Sequence, residues 1–274
     1  MCTKNIALTI AGFDPGSGAG ISADLKTFAA HHIYGVACIS ALTVQSTLGV
    51  QSVETLSPSL VRQTLQCLAA DVILSGIKIG MLGCGEIVAE VSNFLAEPSA
   101  KVPRGRIVLD PVLRSSSGTS LIDANGISLM RNQLLQRVGW ITPNIQELAV
   151  LVEGDEPVPA AASRLRDMAA RLGNDELNVV VTGGNLDQPN DFLLTSSGEQ
   201  SWFRGRKVVT SSTHGTGCAF SSALLCGLLL GSSSVKAVES AKEYVTRALE
   251  TAYPVGQGKG PINHLFPCEP KSFT

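Results

Sequence analysis

The chain has 274 residues, of which 44% are hydrophobic and 16% charged, with a formal net charge of −2. That balance describes a globular protein and gives no electrostatic basis for binding nucleic acid or an anionic membrane. Its seven cysteines, at 2, 38, 67, 84, 218, 226 and 268, form no Cys-x-x-Cys pair and no zinc-spaced cluster, so they read as reduced thiols of a cytoplasmic protein.

In chain order, short apolar runs alternate with helical patterns. Residues 6–11 follow Lys4, but Asp14 ends the run early and no small-residue cleavage pattern follows, so a first strand is expected rather than a signal peptide. Residues 21–32 read as a helix, with Ile21, Leu25, Phe28 and Ala29 at helical spacing, and residues 36–41 as a second strand. Pro58 opens a helix that runs to about residue 70. Residues 73–79 and 107–109 read as buried strands with a helix over 86–95 between them, and Asp123 can cap a helix through residue 136. Residues 140–141 form a short strand, and Pro143 starts a turn into a helix that carries Glu147. A helix over 160–172 and a strand over 179–181 follow, then meander strands at 192–195, 202–203 and 207–209 around the turn Ser197-Gly198. Helices over 217–231 and 235–253 close the chain; the first holds Ser221 and Ser222 and is too short to cross a bilayer.

Unbroken apolar strands alternating with helices imply a mostly parallel sheet covered on both faces, within one domain over residues 1–274. Ligands in such sheets gather at the carboxyl ends of the strands. Attention therefore falls on the loops that follow strands.

The most informative of these is Thr213-His214-Gly215-Thr216-Gly217-Cys218, which leads from Val208 and Val209 into a helix. Amides at a helix start lack intrahelical partners and the macrodipole is positive there. Glycines let the backbone approach a bound anion, so this loop predicts an anion hole for a phosphoryl group. Cys218 stands in the same field, which should favour its thiolate. The first loop, Gly12-Phe13-Asp14-Pro15-Gly16-Ser17-Gly18-Ala19-Gly20, is neither a P-loop nor a dinucleotide fingerprint; it reads as backbone closing over a small flat ligand, or as a flexible turn. Asp24 lies one helical turn further on, where an acidic group commonly compensates the dipole. Gln45 offers a donor and an acceptor side by side, which suits the ring nitrogen and exocyclic amine of an aminopyrimidine. Lys78-Ile79-Gly80-Met81 and Asp110-Pro111-Val112 end two further strands. Asp110 needs a partner there, either magnesium or a helix N-terminus. Asn144 and Glu147 (Asn-x-x-Glu) supply oxygens that suit hydrated magnesium, although Asn144 serves equally as a cap.

These blocks, in this order over nearly the whole chain, resemble the hydroxymethylpyrimidine/phosphomethylpyrimidine kinases of thiamin biosynthesis, within the ribokinase-like superfamily. The matching blocks are Ala7 to Gly12, Gly18-Ala19-Gly20-Ile21 with Ala23-Asp24-Leu25-Lys26, Ala41 to Gln45, Lys78 to Leu82, Leu109 to Val112, Ile141 to Asn144 with Glu147, Thr213 to Cys218, and Gly260 to His264. The resemblance implies a three-layer α/β/α sandwich, usually a homodimer, that transfers the γ-phosphoryl of Mg-ATP to a pyrimidine hydroxymethyl group and then makes the diphosphate. It implies that Gly12, Asp24, Gln45, Met81 and Val112 surround the pyrimidine. Gly215, Thr216 and Gly217 match the anion hole, Cys218 the catalytic position and Lys242 a lysine near it. Asn144, Thr182 and Thr213, with Gly215 and Gly217, fall on the nucleotide side, and Asp110 and Glu147 are the candidate magnesium ligands. The chain departs from the family pattern at Phe13-Asp14-Pro15-Gly16-Ser17-Gly18, at Arg114-Ser115-Ser116-Ser117-Gly118 and at Val181-Thr182-Gly183-Gly184-Asn185. The last two lack a lysine that the family usually carries, and Arg114 can replace one of them. Competing readings are a pyridoxal or pyridoxine kinase, and a pyrimidine-binding sensor without catalysis.

Overall fold

The computed structural model describes residues 4–98, 100–115, 117–184 and 187–269. Cys2, Ser116 and Asn185, named in the patterns above, lie outside the described residues.

The strands are β1 (Ile6–Phe13), β2 (Tyr34–Ser46), β3 (Gly49–Thr55), β4 (Gly76–Ile79), β5 (Ile107–Leu109), β6 (Trp140–Ile141), β7 (Asn178–Val181), β8 (Asp191–Leu194) and β9 (Gln200–Phe203). They form one nine-stranded sheet in the order β3-β2-β1-β4-β5-β6-β7-β8-β9. Pairing is parallel from β2 across to β7 and antiparallel at both edges. The helices are α1 (Gly20–Ala30), α2 (Pro58–Asp71), α3 (Gly85–Ala96), α4 (Ala124–Leu129), α5 (Ile145–Val152), α6 (Val158–Arg171), α7 (Thr216–Leu229) and α8 (Ser234–Glu250). Side chains of α2 to α6 pack on one face of the sheet, and those of α1, α7 and α8 on the other. The result is the α/β/α sandwich that the resemblance implies.

Strand alternation sorts the core. Leu8, Ile10, Ile77, Ile79 and Leu109 point to the α2–α6 face and are fully buried. Each contributes roughly 1.5–3 kcal/mol by leaving water. Ala7 and Val108 point the other way, toward α7. The same period of two sends Thr9, Lys78 and Asp110 to the α1/α7 side, where they meet polar partners from those helices. Alternation along three neighbouring strands therefore builds a polar centre behind an apolar core.

Four expectations are corrected. Strand β2 runs on to Ser46 and pairs with β3, which the hydrophobic pattern did not reveal because most of β3 is exposed. Residues 207–209 form no strand: the chain leaves the sheet at Gly205, whose amide donates to Asn190 Oδ1 at 3.1 Å, and Val209 is 96% exposed with no strand beside it. Strand β4 starts only at Gly76, after an exposed Ile73. The helix expected through residue 136 is interrupted after α4 by a wide π turn, Met130–Leu134, closed by the Leu135 amide on the Met130 carbonyl at 3.0 Å. That turn lets Met130, Leu134 and Leu135 all face the core, which a regular helical period would not.

Candidate active site

Helix α7 begins at Thr216, with Gly215 before it at φ +90°. Only glycine takes that conformation readily. Space enforces the same choice, since a Cβ on Gly215 would lie 1.7 Å from the Gly18 carbonyl oxygen. The main-chain amides of Gly215, Thr216, Gly217 and Cys218 have no hydrogen-bond partner among the described residues. His264, buried at 3% exposure, brings an unpartnered Nε2 close to the same glycine; burial, with the nearby charge of Lys26, pushes its pKa down to about 4 and keeps the ring neutral. The loop is thus a rigid turn with free donors at a positive helix end.

Behind it lies the polar centre. Lys78 is fully buried, 3.0 Å from Asp24 and 4.0 Å from Asp110. Burial works against its charge, but the carboxylates of Asp24 and Asp110 outweigh that and raise its pKa, so the ammonium stays charged. Asp24 also accepts hydrogen bonds from Thr9 Oγ1 at 2.6 Å and Ser222 Oγ at 2.8 Å. It is fully buried, and the structure makes it the counter-ion of Lys78 rather than dipole compensation at the surface. Asp110 accepts from Ser221 Oγ at 3.1 Å and lies under Gly217, whose Cβ would be 3.8 Å from Oδ2.

The expected thiolate at Cys218 is not favoured. Burial pushes its pKa up to about 12, and the charges of Asp24 and Asp110 add to this against the opposing pull of Lys78 and the Gly20 amide. Desolvation and two carboxylates outweigh Lys78 and the Gly20 amide, so the free protein carries a thiol.

The first loop is held by contacts of its own rather than left as a flexible turn. It winds round the carboxylate of Asp14, which accepts from the amides of Gly16 (2.7 Å), Gly18 (3.1 Å) and Ala19 (2.9 Å). Lys26 ties it down further by donating to the Ser17 carbonyl at 2.7 Å. Gly12 stands in contact with Met81, the Sδ of which is 3.0 Å from a would-be Cβ. Met81, Ala41 and Leu121, with Val53 and Val112, make a small apolar cluster of their own. Three of the five expected pyrimidine residues, Gly12, Met81 and Val112, therefore stand together in one wall, while Gln45, at the end of β2, has its amide 3.0 Å from Nε2 of His214, the residue before Gly215. This wall reaches Cys218 through Gly20, which contacts both the Gly12 carbonyl and the Cys218 sulfur.

On the other side, Asn144 and Thr182 are bridged between β6 and β7. Asn144 and Glu147 form a capping box on α5, each side chain bonded to the other's amide at 2.9 Å. Burial first, then the charge of Asp110, raises the Glu147 pKa to about 8. Two carboxylates that raise each other's proton affinity in this way suit a divalent cation, although Lys78 already stands 4.0 Å from Asp110. Thr213 is exposed on the loop. Lys242 does not reach the loop at Gly215–Cys218: its ammonium binds Asp191 at 2.8 Å and the Pro189 carbonyl at 2.6 Å, and Asp191 in turn holds the Gly183 amide at 3.0 Å. It braces the segment after Thr182.

The sequence reading missed Lys78, Ser221, Ser222, Asp14, His214 and His264 as functional groups. A lysine inside an apolar strand and two serines inside an apolar helix were the available signals. The two histidines stood inside quoted motifs, but their partners are remote in sequence.

Free amides at a helix start over the strand ends of a mostly parallel sheet covered by helices on both faces are the arrangement of a ribokinase-like kinase of small molecules. The chain belongs to the phosphomethylpyrimidine kinase family, whose model matches residues 14–263. It is 36% identical over 266 residues to the hydroxymethylpyrimidine/phosphomethylpyrimidine kinase of Haemophilus influenzae, covering 94% of this chain and 95% of that one. The Escherichia coli enzyme of the same description is 39% identical over 268 residues, with 94% and 97% covered. Among solved structures, a Bacillus subtilis pyridoxal kinase in complex with ADP superposes with a TM-score of 0.82 at 28% identity, over 96% of this chain and 98% of that one. A phosphomethylpyrimidine kinase from Clostridium difficile gives 0.75 at 32% identity, over 90% and 100%.

Proposed function

We propose that this protein uses Mg-ATP to phosphorylate the hydroxymethyl group of hydroxymethylpyrimidine, and then its monophosphate, for thiamin biosynthesis in the cytoplasm. The observation that carries this reading is the set of unpartnered amides at Gly215–Cys218, joined through Gly20 to the Gly12–Met81–Val112 cluster. Phosphoryl transfer depends on in-line positioning and charge stabilisation more than on covalent chemistry. The amides receive the charge that spreads over the transferred group, and Lys78 holds a fixed positive charge behind them. Cys218, as a thiol, orients the attacking hydroxyl rather than acting as a strong base. Asn144, Thr182 and Thr213 line the nucleotide side, with Lys242 as their support. Among the described residues no group of three metal-ligating side chains occurs, but Asp110 and Glu147 fit magnesium, which uses one or two carboxylates and keeps several waters. When bound there, the ion would neutralise phosphate charge.

The likeness to a pyridoxal kinase keeps a second substrate in view, since that ring also bears a hydroxymethyl group. Mass analysis after incubation with Mg-ATP and each ring compound decides. Pyrimidine monophosphate and diphosphate are expected. Monophosphate alone would limit the activity to the first step, consistent with the two absent lysines. Phosphorylated pyridoxal alone, or ligand binding with no product, would overturn the proposal.

A further inference from the structure

His214 Nε2 lies 2.8 Å from Asp14 Oδ2 and 3.0 Å from the Gln45 amide nitrogen. These contacts make different demands on one atom. Asp14 is buried and ringed by three amide donors, so it is an acceptor, and at 2.8 Å it requires a proton on Nε2. A protonated Nε2 has no lone pair, so it cannot accept from an amide N–H. Turning the Gln45 amide through half a revolution resolves the conflict, and the two senses differ only in their hydrogen-bond partners. Oε1 then shares the single Nε2 proton with Asp14 Oδ2 in a three-centre bond. The amide nitrogen then faces Thr43 Oγ1, 3.3 Å away. Thr43 can accept there because its own single proton goes to the Phe13 carbonyl at 3.0 Å. No donor then faces a donor along the chain from Asp14 to Phe13.

We propose that Asp14 and His214 are positioning residues that fix the polarity of the Gln45 amide, carbonyl toward the anion hole and N–H toward Thr43. The inference rests on the kinase reading above and adds a selection rule to it. Gln45 keeps one N–H and one lone pair free, in a set order. The acceptor molecule must present its donor and acceptor in the complementary order, as the amidine-like edge of an aminopyrimidine does. A substrate lacking that edge gains nothing from the arrangement. Asp14→Asn removes the demand for a proton on Nε2 and frees the amide to turn.

Steady-state kinetics of Asp14→Asn, Gln45→Ala and the double variant test this. Asp14→Asn should raise KM for hydroxymethylpyrimidine about tenfold, the worth of one well-placed hydrogen bond, with a much smaller change in kcat or in KM for ATP. In the Gln45→Ala background the same substitution should change KM less than about twofold. An equal tenfold rise in both backgrounds would mean that Asp14 acts through the loop and not through Gln45, and would overturn the proposal. Long-range nitrogen–proton NMR of the wild-type protein reads His214 without any turnover. A proton on Nε2 between about pH 6 and 8 is expected, and a lone pair there overturns the proposal. If wild-type protein turns over no pyrimidine, the functional reading fails, while the spectrum still decides the arrangement of the histidine.

Discussion

Cys218 shows how a single side chain is set by neighbours remote in sequence. Its thiol faces the Gly20 amide and shares a buried space with Lys78, Asp24 and Asp110. With the pKa pushed up to about 12, its contribution is orientation of the hydroxyl. Cys218→Ala should lower kcat about 100-fold, in the range of lost proton-transfer positioning, while KM for the pyrimidine changes little. Undiminished turnover would remove the thiol from the reaction. Asp14 makes a separate prediction in pH. Burial alone would raise its pKa, but the bond and charge of His214 and the amides of Gly16 and Ala19 outweigh it and hold the carboxyl below its usual range. A folded-state pKa below the unfolded one adds stability above the unfolded value and loses it as pH falls through the folded value. The melting temperature should therefore drop below about pH 4, and drop less steeply in Asp14→Asn. Parallel curves for the two proteins would sink this assignment.

Helix α7 and its preceding turn act as a unit. The helix is apolar on nearly every side because sheet and α8 both cover it, with Ser221 and Ser222 reserved for the two aspartates. Its start is fixed by Gly215 against Gly18, so the two glycine loops lock one another. Gly215→Ala would force a side chain into positive φ and into the Gly18 carbonyl. A loss of more than about 1 kcal/mol in unfolding free energy is expected from the backbone strain alone. Turnover should fall much further, about 100-fold, because the amide donors move together. Thermal melting and ATP-coupled kinetics measure both. An alanine variant with native turnover would show that the amides do not need this turn.

Across the whole molecule, one edge of the sheet stands apart. The β2–β3 hairpin shows exposed Leu42, Val44 and Leu48 to one side and rests on the segment before Pro261, where the Lys259 amide donates to the Thr47 carbonyl at 2.8 Å. An apolar edge hairpin invites pairing with a second copy. We propose that it forms the homodimer contact. Light scattering should give a dimer for the native chain and half that mass for Val44→Glu, whereas a native monomer would refute the contact.

The order of strands and helices, the covered parallel sheet and the glycine turn that opens α7 follow from the sequence alone, because each rests on local periodicity or on glycine beside a helix start. Hairpin β3 and the absent strand at 207–209 do not, since pairing at a sheet edge depends on what lies next to it. The pKa of Cys218, the burial of Asp24 under Lys78 and the diversion of Lys242 to Asp191 were likewise decided only in three dimensions. Charge and desolvation act through space between residues far apart in the chain. Local pattern carries the element and its loop; the electrostatic partners of each side chain exist only once the sheet has brought those loops together.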